Sequence, residues 1–231
     1  MTTYLFPPAP VNAIPVQGDT ATFPIRRIFC VGRNYEAHAR EMGVAPDREA
    51  PFYFTKSPDT YVPSGATIPY PPGTSNYHYE MELVAVIGKP GFRIPRDQAL
   101  QHVYGYACGL DMTRRDLQIA AREQRRPWDL GKDFEQSAVI SPIVPAARIG
   151  HPASGRIVLD VNGVEKQASD LSLLIHGIPD LIAHLSGYYH LQPGDVIFTG
   201  TPEGVGAVQP GDRIGGSIDG VGSIALTIGE A

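Results

Sequence analysis

The chain has 231 residues, inside the range of one large domain, and a formal net charge of −5 with no basic block, which argues against nucleic acid as a partner. It contains no run of about 18 apolar residues and no basic-then-apolar leader after Met1, so neither a membrane span nor secretion is expected. Two cysteines, Cys30 and Cys108, each lie in an apolar run and read as buried free thiols, which suits a cytoplasmic protein.

Glycine (25) and proline (22) are spread as punctuation between apolar segments, a spacing that suits many short strands and turns. Residues 1–24 carry Pro7, Pro8, Pro10, Pro15 and Pro24 without helical periodicity and read as an extended proline-rich arm. Ile28–Val31 is a short buried strand broken by Gly32-Arg33-Asn34. Tyr35–Met42 is rich in helix formers and ends at Gly43, a C-cap residue. His38 and Glu41 are three apart and share one side of that helix. Such a pair is common on helix surfaces; facing a site, Glu41 would fix the His38 tautomer and prepare it to take a proton from water.

After an aromatic strand, Phe52-Tyr53-Phe54, comes the run Tyr79–Gly88. Read as one strand, it projects Glu80 and Glu82 from the same face while the apolar residues anchor it. Two carboxylates side by side repel, and three readings compete: a solvated strand face, a proton-sharing acid/base pair, or half of an oxygen-ligand metal site. A third carboxylate, Asp111, at the carboxyl end of the strand Tyr104–Leu110, adds weight to the last. Pro95 opens a short helix over Arg96–His102. Thr113 is expected to cap a helix Arg114–Glu123, on which Arg115 and Gln118 share a face. A basic aromatic loop, Gln124-Arg125-Arg126-Pro127-Trp128, leads to Lys132.

Arg156–Val161, Asn162-Gly163 and Val164–Ala168 form the clearest hairpin signal. Asp170 should cap a helix Leu171–Leu185 bent or interrupted by Gly177 and Pro179. His176, His184 and His190 fall in this region and read as core or surface residues. Val196–Phe198 is another buried strand, running into Thr199-Gly200-Thr201-Pro202-Glu203-Gly204-Val205-Gly206. That bend lacks the Lys-Ser/Thr ending of a phosphate loop, yet it can present backbone N–H groups and Thr201 to a carboxylate. Asp212–Ile228 reads as glycine-punctuated β-structure.

Together, Gly32-Arg33-Asn34-Tyr35, His38 with Glu41, Glu80-Met81-Glu82-Leu83, Leu110-Asp111-Met112-Thr113, Arg115-Asp116-Leu117-Gln118, Lys132 and Thr199–Gly206 resemble the fumarylacetoacetate hydrolase family, within it the single-domain acylpyruvate hydrolases. The resemblance runs from about Ile25 to the C-terminus, so residues 25–231 are expected to be the catalytic domain. It implies a mixed, predominantly β barrel or roll with short helices, a homodimer, and Mg²⁺ or Mn²⁺ held by Glu80, Glu82 and Asp111. The helix bearing His38 and Glu41 would be a lid, with Lys132, Gln118, Arg115 and Thr201 holding the oxygens of a 2-oxo acid. The implied reaction is hydrolytic C–C cleavage of an acylpyruvate, with the Phe6–Pro10 arm and Arg125-Arg126 pointing to fumarylpyruvate as the substrate of gentisate-type aromatic degradation. One of Arg125 and Arg126 would then meet the second carboxylate of the fumaryl group. Oxaloacetate decarboxylation or tautomerisation of a 2-oxo diacid on the same scaffold is the nearest rival, and a non-catalytic metal- or carboxylate-binding module is the second.

Overall fold

The computed structural model describes residues 3–43 and 50–231. Its centre is the strand Met81–Ile87, whose seven residues are all buried, as expected of an apolar run covered on both faces. Among the described residues it lies mid-way in a curled sheet ordered Phe52–Lys56, Arg27–Gly32, Asp195–Phe198, Met81–Ile87, Val103–Asp111, Ala138–Ile140, Tyr61–Pro63. A second sheet runs Val164–Asp170, Arg156–Val161, Arg213–Ile218, Gly222–Gly229, Thr67–Pro69. The larger apolar cluster, with Leu83, Leu110, Leu159, Ile214 and Leu226, draws its side chains from both sheets. A smaller cluster lies on the other side of the first sheet and includes Cys30, Val84, Val86 and Phe198. The predominantly β roll expected from the sequence is what the chain forms.

Close packing around the central strand depends on one glycine. A Cβ on Gly109 would fall 2.5 Å from the Val84 side chain and 2.6 Å from Phe198. Opposite Glu82 in the register, Gly109 therefore lets three neighbouring strands close up beneath the acidic residues.

Three helices border the acidic residues or the chain leading to them: α1 (Glu36–Glu41), α2 (Arg115–Glu123) and α3 (Asp129–Lys132). The hairpin at Asn162-Gly163 forms as read, both residues having positive φ, and Cys30 and Cys108 are buried and free. Four details differ from the sequence reading. The run from Tyr79 is not one strand: Tyr77–Tyr79 pairs with Thr113–Arg114 and Gly206–Ala207, and the chain crosses at Glu80 into the central sheet. Thr113 does not cap α2: it pairs with His78 as strand, its side-chain oxygen accepts from Lys132 Nζ, and the helix starts at Arg115 with Arg114 in the capping position. The segment after Asp170 is a single 3₁₀ turn, Leu171–Leu173, held by the Ser172 N–H donating to the Asp170 carboxylate at 2.8 Å. A separate helix begins at Ile178 once Gly177 has broken the chain. In the arm, Ala13–Pro15 and Thr22–Pro24 pair antiparallel and bury Ile14, Val16 and Phe23 in the smaller cluster.

Candidate active site

Two adjacent strands build an acidic centre. Glu82 lies on the central strand, Glu80 at the crossing just before it, and Asp111 at the end of the neighbouring strand, where its N–H donates to the Glu80 carbonyl at 2.9 Å. One oxygen from each of the three carboxylates lies within 4.8 Å of the others, and all three residues are buried. The glutamates and Asp111 expected to act together are thus brought together by strand pairing.

Three cations face them. Lys132 Nζ, delivered by α3, donates at 2.7 Å to each of Glu80 Oε2, Asp111 Oδ2 and Thr113 Oγ1. Arg115, at the start of α2, donates to Glu80 Oε1 and to the Gln118 side-chain carbonyl. Lys56 Nζ is 2.9 Å from Asp111 Oδ1 and donates to Ser137 Oγ, to the Met112 carbonyl and to the Lys132 carbonyl. Burial alone would raise the Glu80 carboxyl, but Lys132 and Arg115 outweigh it and hold it below the usual carboxylate range. Glu82 behaves in the opposite way. Burial, then Asp111 and Glu80, push it well above that range despite the Gly200 N–H it accepts at 2.6 Å. Burial would lower Lys132, yet Asp111 and Glu80 keep its ammonium charged.

These residues fit a hard divalent cation. The donor set is all carboxylate oxygen and its members converge; among the described residues Glu82 has no cationic side chain bonded to it, and Asp111 Oδ1 is buried without an aligned hydrogen-bond donor although Lys56 is within ion-pair distance. Three carboxylates leave further coordination positions for a chelating substrate and water.

Above the acidic centre, α1 places a second device. His38 Nδ1 is 3.1 Å from Glu41 Oε2, and Glu41 Oε1 accepts the Gly204 N–H at 3.0 Å. Glu41 is therefore held from two directions, its charge favours a proton on Nδ1, and Nε2 is left as the basic nitrogen of His38. Thr201 lies in the same glycine-rich bend and accepts from Gln167 Nε2 at 2.9 Å; the Gln167 carbonyl accepts the Met81 N–H at 3.0 Å, tying the bend to the central strand. Asn34 locks the other end, donating to the Thr199 and His176 carbonyls. Beside Arg115, burial and then the guanidinium lower His78 to about 4, so its imidazole is neutral, donating to Asn76 at 2.8 Å.

A solvent-open pocket connects the two devices: its lining includes Glu80, Glu82, Arg115, Gln118, Lys132, Thr201 and His38. Arg33, Ile119, Arg122 and Trp128 are also part of the wall. Arg125 and Arg126 are not part of it. The helix ends at Glu123 and Arg125 turns the chain with φ 54°, so both side chains are exposed on the loop beyond the pocket. Sequence reasoning also missed Lys56, Gln167 and Arg122. Lys56 and Arg122 carried local signals, a lysine ending the aromatic strand Phe52-Tyr53-Phe54 and an arginine in helical phase with Arg115 and Gln118; Gln167 reaches the site by long-range folding alone.

Both the sequence and the fold have known relatives. The family model described as fumarylacetoacetate (FAA) hydrolase C-terminal matches residues 27–229. A fumarylpyruvate hydrolase of a Ralstonia species is 61% identical over 183 residues, 79% of this chain and 95% of the relative. The human mitochondrial oxaloacetate tautomerase FAHD1 is 40% identical over 203 residues, 88% of this chain and 91% of the relative. A crystal structure of fumarylpyruvate hydrolase from Pseudomonas aeruginosa in complex with Mn²⁺ and pyruvate superimposes with a TM-score of 0.96 at 51% identity, covering 99% of this chain and all of that one.

Proposed function

The chain belongs to the fumarylacetoacetate hydrolase family, and from that premise we propose that it hydrolyses the C–C bond of an acylpyruvate, fumarylpyruvate being converted with water to fumarate and pyruvate. The carrying observation is the convergence on one pocket of a buried three-carboxylate centre and the His38–Glu41 pair.

Glu80, Glu82 and Asp111 would hold Mg²⁺ or Mn²⁺. Such an ion, when bound, supplies Lewis-acid stabilisation for negative charge developing on the 2-oxo acid. Arg115, Gln118, Lys132 and Thr201 orient the pyruvyl end through its carboxylate and keto oxygens. His38, oriented by Glu41, removes a proton from water at Nε2, and the resulting hydroxide attacks the distal carbonyl carbon. Collapse of the tetrahedral adduct breaks the C–C bond, leaving the acyl part as a carboxylic acid. The pyruvyl part departs as an enolate, beside which Lys132 places a fixed positive charge. The proton taken by His38 then returns to the leaving carbon, so that water is consumed and no other co-reactant is needed.

Residues 1–24 form the arm and residues 25–231 the catalytic domain in this reading. The protein works in the cytoplasm as a homodimer, and α1 serves as the lid. Among the described residues no helix is long and apolar enough to cross a membrane. Equimolar fumarate and pyruvate from fumarylpyruvate, followed by proton nuclear magnetic resonance, is the expected outcome. Substrate disappearance without both products would refute the reaction. A second reading, oxaloacetate tautomerisation, is favoured by the human relative. It needs no activated water, so keto–enol interconversion of oxaloacetate surviving in a His38→Ala variant while fumarylpyruvate cleavage is lost would show both activities on one centre.

A further inference from the structure

Helix α2 is laid along the pocket like a ruler. Arg115, Gln118, Ile119 and Arg122 all line it, and their spacing of i, i+3, i+4 and i+7 is one face of a helix. Arg122 therefore stands about 10 Å along the axis from Arg115. The Arg115 end meets the acidic centre. At the other end Arg122 donates at 3.2 Å to the carbonyl of Met42, the residue that caps α1.

Arg33 lines the same pocket, and the backbone sets it there. Gly32 has no Cβ, which would otherwise fall 2.0 Å from the Phe52 ring, so that ring packs flat on the strand. Arg33 then turns with φ 57°, an uncommon left-handed conformation for arginine, and its guanidinium lies 5.1 Å over Phe52. Burial, and after it the charge of Arg122, lower the Arg33 pKa, so the two guanidiniums feel each other. Among the described residues neither forms an ion pair. Two like charges facing one open pocket, neither paired with a carboxylate among the described residues, are an arrangement that a carboxylate ligand would relieve.

We propose that Arg33 and Arg122 form a second anion subsite that takes the distal carboxylate of a diacid substrate, one helix-face length from the Arg115 end that holds the pyruvyl group. The inference rests on the acylpyruvate-hydrolase reading and deepens it by assigning specificity. The trans double bond of fumarylpyruvate keeps its seven-carbon chain extended, so the two ends are held apart at a nearly fixed distance and both are bound only if the second subsite is correctly spaced. An acylpyruvate without the far carboxylate leaves the arginine pair uncompensated, and sites built to pair a polar group discriminate strongly against analogues lacking it.

Steady-state kinetics of the full chain with Mn²⁺ test this with fumarylpyruvate and acetylpyruvate, which share the reacting diketone, acetylpyruvate having a methyl group in place of the vinyl carboxylate. Arg122→Gln and Arg33→Asn, the latter chosen because asparagine tolerates a left-handed backbone, should each lower the ratio of the two kcat/KM values by about 10- to 100-fold. The change should come through KM for fumarylpyruvate, and Arg122→Lys should keep more of the ratio than Arg122→Gln. If Arg122 serves only to hold the lid, both substrates fall together and the ratio stays put, which overturns the subsite. Where one variant fails to fold, the other reads the same ratio. Wild-type protein that cleaves both substrates without preference overturns the subsite alone, whereas wild-type protein that cleaves neither removes the hydrolase reading and the subsite with it.

Discussion

Replacing Glu82 by glutamine separates the metal-site account from ordinary core packing, because the two predict opposite signs. Glu82 is buried, and its carboxylate shares a space in which donor oxygens of Glu80 and Asp111 lie within 4.8 Å. At that limiting distance two unit charges repel by about 3.5 kcal/mol at an effective dielectric constant near 20. Its pKa is accordingly raised by burial and by those neighbours. A carboxyl whose folded pKa exceeds its unfolded value binds a proton on folding; its contribution is complete below the unfolded value and declines as pH rises toward the folded one, by about 1.4 kcal/mol per unit. Glutamine keeps an acceptor for the Gly200 N–H and removes that dependence. Metal-free Glu82→Gln should therefore match wild type in mild acid and become the more stable of the two as pH rises. Mn²⁺ reverses the order: at about one hundred times Kd it stabilises wild type by about 2.7 kcal/mol, and the variant, short of a ligand, loses most of that gain. Thermal unfolding at two pH values, with and without Mn²⁺, reads all four cases. A metal-free variant less stable than wild type at the higher pH, or one with the full Mn²⁺ shift, would refute the reasoning.

His38→Ala should lower kcat by about 10²- to 10⁴-fold while leaving the Mn²⁺-induced Tm shift intact, with Glu41→Gln milder; full turnover in single-turnover and steady-state assays would remove His38 as the base. Lys56→Met leaves Asp111 with Lys132 as its remaining buried cation and strands the Met112 carbonyl, so urea unfolding of the metal-free protein should show a loss of about 1–3 kcal/mol. A loss no larger than that of a surface substitution would contradict this. Because Glu82 is raised and binds metal only as carboxylate, Mn²⁺ binding should release a proton and tighten with rising pH. Calorimetry in buffers of different ionisation enthalpy measures that release, and an affinity independent of pH would count against it.

Much of the centre was legible because strand periodicity and chain order carry it. Glu80, Glu82 and Asp111 lie at the edges of apolar runs whose burial is local information, and His38 and Glu41 are neighbours on one helical turn. Lys132 and Arg115 were reached through motif resemblance, since nothing local says that a lysine on a four-residue helix will sit between two carboxylates. Lys56 escaped because the carboxylate that neutralises it, Asp111, comes from a different strand, and its hydrogen-bond partner Ser137 is 81 positions away. Arg125 and Arg126 are placed differently from the sequence reading: both are exposed, and Arg126 lines a neighbouring cavity with Phe54, Trp128 and Lys132 rather than the pocket over the acidic centre. Arg122, one turn earlier, keeps the phase of Arg115 and faces inward.

Fumarylpyruvate turnover measured against bound Mn²⁺ tests the central claim most directly. After complete chelation the protein should leave the conjugated enol absorbance of the substrate unchanged, and stepwise return of Mn²⁺ should restore its loss in proportion to occupancy of the Glu80–Glu82–Asp111 centre, with equal amounts of fumarate and pyruvate formed. Undiminished turnover in the chelated protein, or turnover restored in a variant lacking Glu82 and Asp111 together, would contradict the account.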